Sequence, residues 1–216
     1  QVDQPDEEED QPDDGEVACG EQGQGKLASL AQIVAAVTTV ANVAQLLKGK
    51  SVLVTSGPTE EPIDDVRVLT NRSSGKMGAA VTRAALMMGA EVTVVAGPQH
   101  APIPIQANVF RVRTAQQMLE TAEQFAADAD YIVGVAAVAD YRPAKKFDGK
   151  IRSGDAMDLR LVPNPDVIAE LAKQTKGRVV AFAAEPKGGL AKAKEKVERK
   201  GAYAIAVNDV GRTDIA

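Results

Sequence analysis

The chain has no tryptophan, a single cysteine and few aromatic residues, which make up 3% of its 216 positions. The lone cysteine, Cys19, excludes an intrachain disulfide and fits a reducing compartment. The acidic N-terminus lacks the apolar core of a secretory signal. A membrane span is also lacking, because the most apolar long stretch, Leu27 to Leu47, is interrupted by Ser29, Gln32, Thr38, Thr39, Asn42 and Gln45. These absences predict a cytoplasmic protein without a membrane partner. Residues 1–16 contain no Lys or Arg but nine of the 30 acids, so the net charge of −5 conceals a body with 25 basic and 21 acidic residues. A mildly basic body suits a small polyanionic substrate; its charges are too few and too interspersed for a nucleic-acid groove. No His or carboxylate cluster has metal-ligand spacing, so no side-chain metal site is expected.

What remains, with 44% hydrophobic residues, is enough for one well-buried α/β domain with appendages. Residues 1–16 read as a solvated acidic linker or tail. A glycine-rich stretch from Gly15 to Leu27 follows, then a helical pattern from about Ser29 to Leu47. From Lys50 onward strands and helices alternate. Strands are predicted at 51–55, 91–96, 109–113, 131–135, 179–183 and 203–207, and helices at 76–88, 115–127, 165–173 and 190–200. Short β-branched strands alternating with helices predict an α/β, Rossmann-like three-layer fold with a mostly parallel sheet. The 165–173 helix carries its own start signal, with Asn164 as cap, Pro165 at the first position and Asp166 near the positive end.

The stretch Asn71-Arg72-Ser73-Ser74-Gly75-Lys76-Met77-Gly78 lies between the first strand and a helical pattern. First-turn N–H groups, two hydroxyls, a lysine and glycines that let a ligand near the backbone all favour a phosphate. A Ser-capped helix start is the plainer alternative. The stretch is no Walker A loop, since Thr70 stands where the first glycine belongs and Met77 replaces the magnesium-binding Ser/Thr. A dinucleotide site would need Gly-x-Gly-x-x-Gly after the first strand, and Ser56-Gly57-Pro58 stands there instead. Three more stretches fall at the carboxyl edge, where such sheets bind ligands: Ala136 to Pro143, Lys150-Ile151-Arg152, and Lys196 with Lys200. For Asp140 a turn role stands beside a ligand role, and for the two lysines a solvated face stands beside a site.

Taken together, Gly57 to Arg67, Asn71 to Gly78, Ala136 to Arg142, Lys150 to Arg152, Asn164-Pro165-Asp166, Phe182 to Glu185 and Asn208 to Val210 resemble phosphopantothenoylcysteine synthetase in order and spacing. In bacteria that enzyme is commonly the C-terminal half of a bifunctional coenzyme A biosynthesis protein. The resemblance covers Lys50 to Ala216 as a synthetase domain. Residues 17–49, with Val17-Ala18-Cys19-Gly20, resemble the C-terminal clamp of the partner decarboxylase and its connecting helix. Lys26-Leu27 stands where that family has Arg-Met, and Pro186 where the synthetase has Thr. The sequence is expected to be a partial one, because the family's last strands run beyond Ala216.

The resemblance implies a CTP-dependent ligation of 4′-phosphopantothenate to cysteine through an acyl-cytidylate. Lys150 would act on the triphosphate in the first step, and Asn71 with Arg67 would orient the intermediate in the second. Gly134, Val135, Ala136, Asp140, Lys150, Pro165, Asp166, Val167, Ile168, Phe182, Lys196 and Lys200 match CTP-contacting positions. The Ser73, Ser74, Gly75 and Lys76 positions would bind substrate phosphate. Magnesium would be held chiefly by the phosphates, with Asp140 the acid to watch. FMN belongs only to the decarboxylase body, so Cys19, that domain's proton donor, would be stranded and decarboxylation is not expected. The 57–70 loop, with too much turn chemistry and too few core residues to order alone, and the resemblance both point to a homodimer. An NADP-dependent oxidoreductase and a non-catalytic nucleotide-binding module are the alternatives. Pro143 disfavours the first, since it interrupts a helical Tyr-x-x-x-Lys at Tyr141 to Lys145.

Overall fold

The computed structural model describes residues 14–16, 22–24, 45–154, 156–185, 195 and 197–209. The chain divides into two compact units, 1–44 and 45–216. In the first, β1 (Asp14–Glu16) pairs antiparallel with β2 (Gln22–Gln24), Gly15 opposite Gly23. The acidic tail therefore ends in a strand, because a backbone ladder needs no apolar side chain. Cys19 and most of the helix expected at 29–47 lie outside the described residues. The described end of that segment, 45–49, is a turn, in which Leu47 N–H donates to Met88 O and Lys50 N–H to Leu47 O.

The second unit is organised by a six-stranded sheet. Its strands are β3 (Ser51–Ser56), β6 (Glu91–Ala96), β7 (Asn108–Arg111), β8 (Tyr131–Gly134), β11 (Arg178–Glu185) and β12 (Ala204–Asp209), in the order β12-β11-β8-β3-β6-β7. Every neighbouring pair is parallel. This is the doubly wound order, in which the chain reverses direction of growth between β3 and β8. Ser-Val-Leu-Val-Thr-Ser and Glu-Val-Thr-Val-Val-Ala suit its centre, since β-branched residues pack well on a sheet covered on both faces.

Helices α1 (Lys76–Met87), α2 (Ala115–Ala126) and α3 (Val167–Gln174) provide that cover. Leu53, Val95 and Ile132 point to the face holding Met118, Ala122 and Leu171, whereas Val52, Val54, Val92 and Val94 point to the face holding Ala85. The three predicted layers follow from this alternation. Burying a side chain such as Leu53 or Leu171 contributes about 1.5–3 kcal/mol, so the two faces fix the sheet rigidly beneath its loops.

Two hairpins leave the carboxyl edge. β4 (Glu60–Pro62) pairs with β5 (Val68–Thr70), and β9 (Tyr141–Pro143) with β10 (Leu161–Pro163). The 57–70 excursion orders against its own unit, contrary to the expectation that it could not. Its buried polar residues are the reason: Thr59 accepts from Ala139 N–H, and Glu61 accepts from Ala115 N–H at the positive end of α2. The cap of α3 is also corrected. Asp166, not Asn164, is the N-cap, its carboxylate accepting from Ala169 N–H at 3.2 Å, so the helix begins at Val167. Among the described residues, no helix is long and apolar enough to cross a membrane.

Candidate functional site

At the reversal point the chain segments following β3 and β8 continue side by side. Val135 N–H donates to Thr55 O, Ala137 N–H to Gly57 O, and Pro58 bridges Ala137. The strip 136–140 becomes the floor of a cleft of about 920 Å³. Two asparagines take up its carbonyls. Asn71 Nδ2 donates to Val138 O at 3.0 Å and Ala137 O at 3.3 Å, while Asn164 Nδ2 donates to Ala139 O and its backbone N–H to Asp140 O. The strip cannot drift, because a displaced carbonyl would lose a partner.

One wall is the stretch 71–78. Gly75 caps α1 in the left-handed conformation, φ 78°, without any side-chain cap. The Ser-capped alternative is thereby set aside, since Ser74 Oγ lies a long 3.4 Å from Lys76 N. First-turn N–H groups, Ser73, Ser74, Arg72 and Lys76 all stand in this wall, and neither cation makes an ion pair among the described residues. The glycines have a cause within the protein beside the one expected. A Cβ on Gly75 would lie 2.6 Å from Gln99 Cδ, and one on Gly78 would run into Ser56 Oγ. Protein side chains packed beneath the loop already require glycine there, independently of any ligand.

The opposite wall comprises 164–168 and 181–183 with Arg199, Lys200 and Ile205. A Cβ on Gly134 would run into the outer carbons of Ile168, so the glycine lets Ile168 lie over the end of β8. Lys200 Nζ donates to both carboxylate oxygens of Asp166, at 2.6 and 2.7 Å. It is a partly buried member of the site, not part of a solvated face. Burial pushes the Asp166 pKa up, but the Lys200 hydrogen bond and charge and the Ala169 N–H hold it below the usual value. Phe182, Pro165 and Val167 line the same wall. Asp140 is exposed, and its carboxylate accepts no hydrogen bond among the described residues. Among those residues no group of three His, Cys, Asp or Glu could hold a metal ion.

Two expected residues stand outside the cleft walls. Arg67 Nη1 donates to Asp64 Oδ2 at 2.8 Å and to Ile151 O at 3.1 Å. The side chain of Asp64 is buried, which alone would raise its pKa; N–H groups of Val66, Arg67 and Ile151 together with the Arg67 charge lower it instead from 3.8 to about 2. Asp65 binds the same loop, accepting from Gly149 N–H and pairing with Lys146, which lowers its pKa. Lys150 is exposed, and both of its chain neighbours are thus tied to the Asp64–Asp65 turn. Lys196 and Cys19 lie outside the described residues. Sequence reasoning passed over Ser56, Thr59 and Gln99, and gave Asn164 a capping role where its side chain instead holds the floor strip.

Residues 47–216 match the family described as DNA/pantothenate metabolism flavoprotein C-terminal domain. The chain is 41% identical over 204 residues to the coenzyme A biosynthesis bifunctional protein CoaBC of Vibrio vulnificus, covering 92% of this chain and 51% of that protein. It therefore spans about half the length of that relative, and the match extends into the segment before residue 47. A crystal structure of the C-terminal domain of CoaBC is 37% identical, with a TM-score of 0.68 over 77% of this chain and 80% of that one. A Cab2 variant solved with phosphopantothenate-cysteine shares the fold, at 18% identity and a TM-score of 0.66 over 87% of this chain and 82% of that one.

Proposed function

The chain belongs to the DNA/pantothenate metabolism flavoprotein C-terminal domain family, and from that premise we propose that it acts in coenzyme A biosynthesis by joining 4′-phosphopantothenate to cysteine at the expense of CTP. The observation that carries this reading is the cleft at the β3–β8 reversal, with one wall of hydroxyls, uncapped N–H groups and the cations Arg72 and Lys76. Both phosphate-bearing substrates are anionic, so bringing them together requires positive charge in place beforehand.

In the first step the phosphopantothenate carboxylate attacks the α-phosphorus of CTP. A C–O–P anhydride forms and pyrophosphate leaves. In the second, the cysteine amine attacks the acyl carbon, CMP leaves, and the ammonium proton passes to solvent or a nearby base. Asn71 spends its Nδ2 donors on the floor strip, which leaves Oδ1 to orient the intermediate. Arg67 would orient the intermediate with Asn71, and its bonds to Asp64 and Ile151 also brace the loop that carries Lys150. Lys150, on its tethered loop, would bring its ammonium to the triphosphate. Lys200 and Asp166, paired to each other, would meet the nucleotide at the opposite wall together with Phe182 and Ile168, and the resemblance adds Lys196 to the nucleotide-binding set. Magnesium, carried in by the phosphates, would neutralise their charge, with Asp140 as the exposed carboxylate within reach of the cleft.

A homodimer is part of this reading. The reason drawn from an unordered loop does not hold, and the exposed apolar side chains Val66, Val68 and Phe147 beside the Lys150 loop take its place. Light scattering on the protein at micromolar concentration should give twice the chain mass; an active monomer would reject it. The ligase reading itself is tested by pyrophosphate release from CTP. Release should require phosphopantothenate, and full turnover should require cysteine. Nucleotide binding without phosphopantothenate-dependent release would instead indicate a nucleotide-binding module.

A further inference from the structure

Between the first wall and the sheet lies a side chain that neither the motifs nor the ligase reading uses. Gln99 follows β6 on the short loop Gly97 to Ala101. Its Oε1 accepts from Ser56 Oγ at 2.7 Å and its Nε2 donates to Ala101 O at 2.9 Å. Ala101 N–H in turn donates to Ser74 O at 3.1 Å. The Gln99 side chain also fills the space under both left-handed glycines of the cleft, where a Cβ on Gly57 would lie 2.9 Å and one on Gly75 2.6 Å away. Ser56 completes the support by filling the space under Gly78.

We propose that Gln99 is the positioning residue of the 71–78 wall: one amide, held at both ends, fixes Gly57, Ser74 and Gly75 relative to the end of β3 and so sets where a bound phosphate meets the first turn of α1. This rests on the reading that the cleft receives phosphate-bearing substrates. Gln99 touches no substrate; it acts through the loop. An amide fits this place because it must accept from the Ser56 hydroxyl and donate to the Ala101 carbonyl at the same time. A carboxylate could keep the first bond only, would face the Ala101 carbonyl with like partial charge, and would add a negative charge beneath an anion-binding wall. An apolar side chain of equal length would keep the packing and lose both bonds.

These differences order the variants. Gln99→Met should raise the KM for the substrate whose phosphate the wall holds by about tenfold, and Gln99→Glu by more, since sub-ångström to ångström displacements of a binding group cost on the order of ten- to hundredfold. The KM for cysteine, which carries no phosphate, should stay unchanged, and the melting temperatures of the two variants should lie close together. Should either variant fail to fold, Ser56→Ala removes only the hydroxyl donor and should give the same selective shift at smaller size. Calorimetric titration with inorganic pyrophosphate separates this inference from the ligase reading. A wild-type protein without ligase turnover whose pyrophosphate affinity falls in the order wild type, Met, Glu would reject the ligase and keep the role of Gln99. Unchanged KM and pyrophosphate affinity in folded variants, equal shifts for cysteine and phosphate substrates, or a wild-type protein that binds no pyrophosphate would each overturn the role.

Discussion

The two edges of the sheet use polar residues in opposite ways. At the amino edge they are spent on one another. Asp130 accepts from Lys50 Nζ, Ser51 N–H and Ser51 Oγ, Ser51 Oγ also reaches Asp128 O, and Arg178 stacks 4.7 Å from the Tyr203 ring centroid. The Lys50 hydrogen bond and the Ser51 N–H hold the Asp130 pKa low, while Asp130 raises that of Lys50. At the carboxyl edge, beside the Lys200–Asp166 and Arg67–Asp64 pairs, side chains instead brace backbone: Asn71 and Asn164 donate to carbonyls, and Glu61 and Thr59 accept from N–H groups. Backbone is fixed there while, among the described residues, Arg72, Lys76 and Asp140 carry no ion pair. An edge whose charges cancel holds the fold; an edge whose backbone is braced by other groups can offer charge to a ligand.

The contrast can be broken most severely at Lys150. Lys150→Gln should lower phosphopantothenate-dependent pyrophosphate release by about 10²–10³-fold, the loss typical of one charge-stabilising donor, with an unchanged melting temperature. Release near the wild-type rate would reject the role given to this lysine. Next in size is Gly78→Ala. The added methyl meets Ser56 in a buried helix–strand contact, so urea unfolding should show a loss of about 1–3 kcal/mol. Gly154→Ala, where nothing lies within 4 Å, should be neutral, and equal effects at the two positions would refute the close-packing account.

A finer test uses acid. Asp64 has a folded pKa of about 2 against 3.8 when unperturbed, so the unfolded state takes up its proton first as pH falls. Its contribution is complete above pH 3.8 and is lost as pH falls towards 2. Urea midpoints measured across that window should fall less steeply for Asp64→Asn than for wild type, although Asp65, Asp130 and Asp166 add slope of the same sign. Parallel curves would show that the clamp on the Lys150 loop is not electrostatic. The smallest effect belongs to the amino edge. Lys50→Met breaks a half-exposed pair and should leave ligase turnover within about twofold; a large loss would erase the distinction between the edges.

Much of the fold was open to sequence reasoning because it depends on local period. The β-branched runs at 51–56 and 91–96 and the helical spacing after Lys76 need no partner to be recognised. The six three-residue strands β1, β2, β4, β5, β9 and β10 were missed, since ladders as short as Glu60–Pro62 carry no periodic signal. The helix start at Val167 was misplaced by two residues, because Asn164 and Asp166 are both good caps and the competing demand on Asn164 comes from Ala139 O, distant in sequence. The Thr114-x-x-Gln117 capping box was legible, and went unread.

For the site, residue types and order already determined that Asn71 to Gly78, Gly134 to Asp140 and Pro165 to Ile168 would share one carboxyl edge, since chain alternation in a parallel sheet places successive loops there. Tertiary structure decided what those residues do to one another. It paired Lys200 with Asp166, put Arg67 on Asp64 and Ile151, and set Gln99 and Ser56 beneath the glycines. Periodicity is a property of neighbours along the chain. A charge or hydrogen bond is allotted only when folding brings together groups such as Asp64 and Ile151, which lie 87 residues apart, and decides which of several possible partners is within 3 Å.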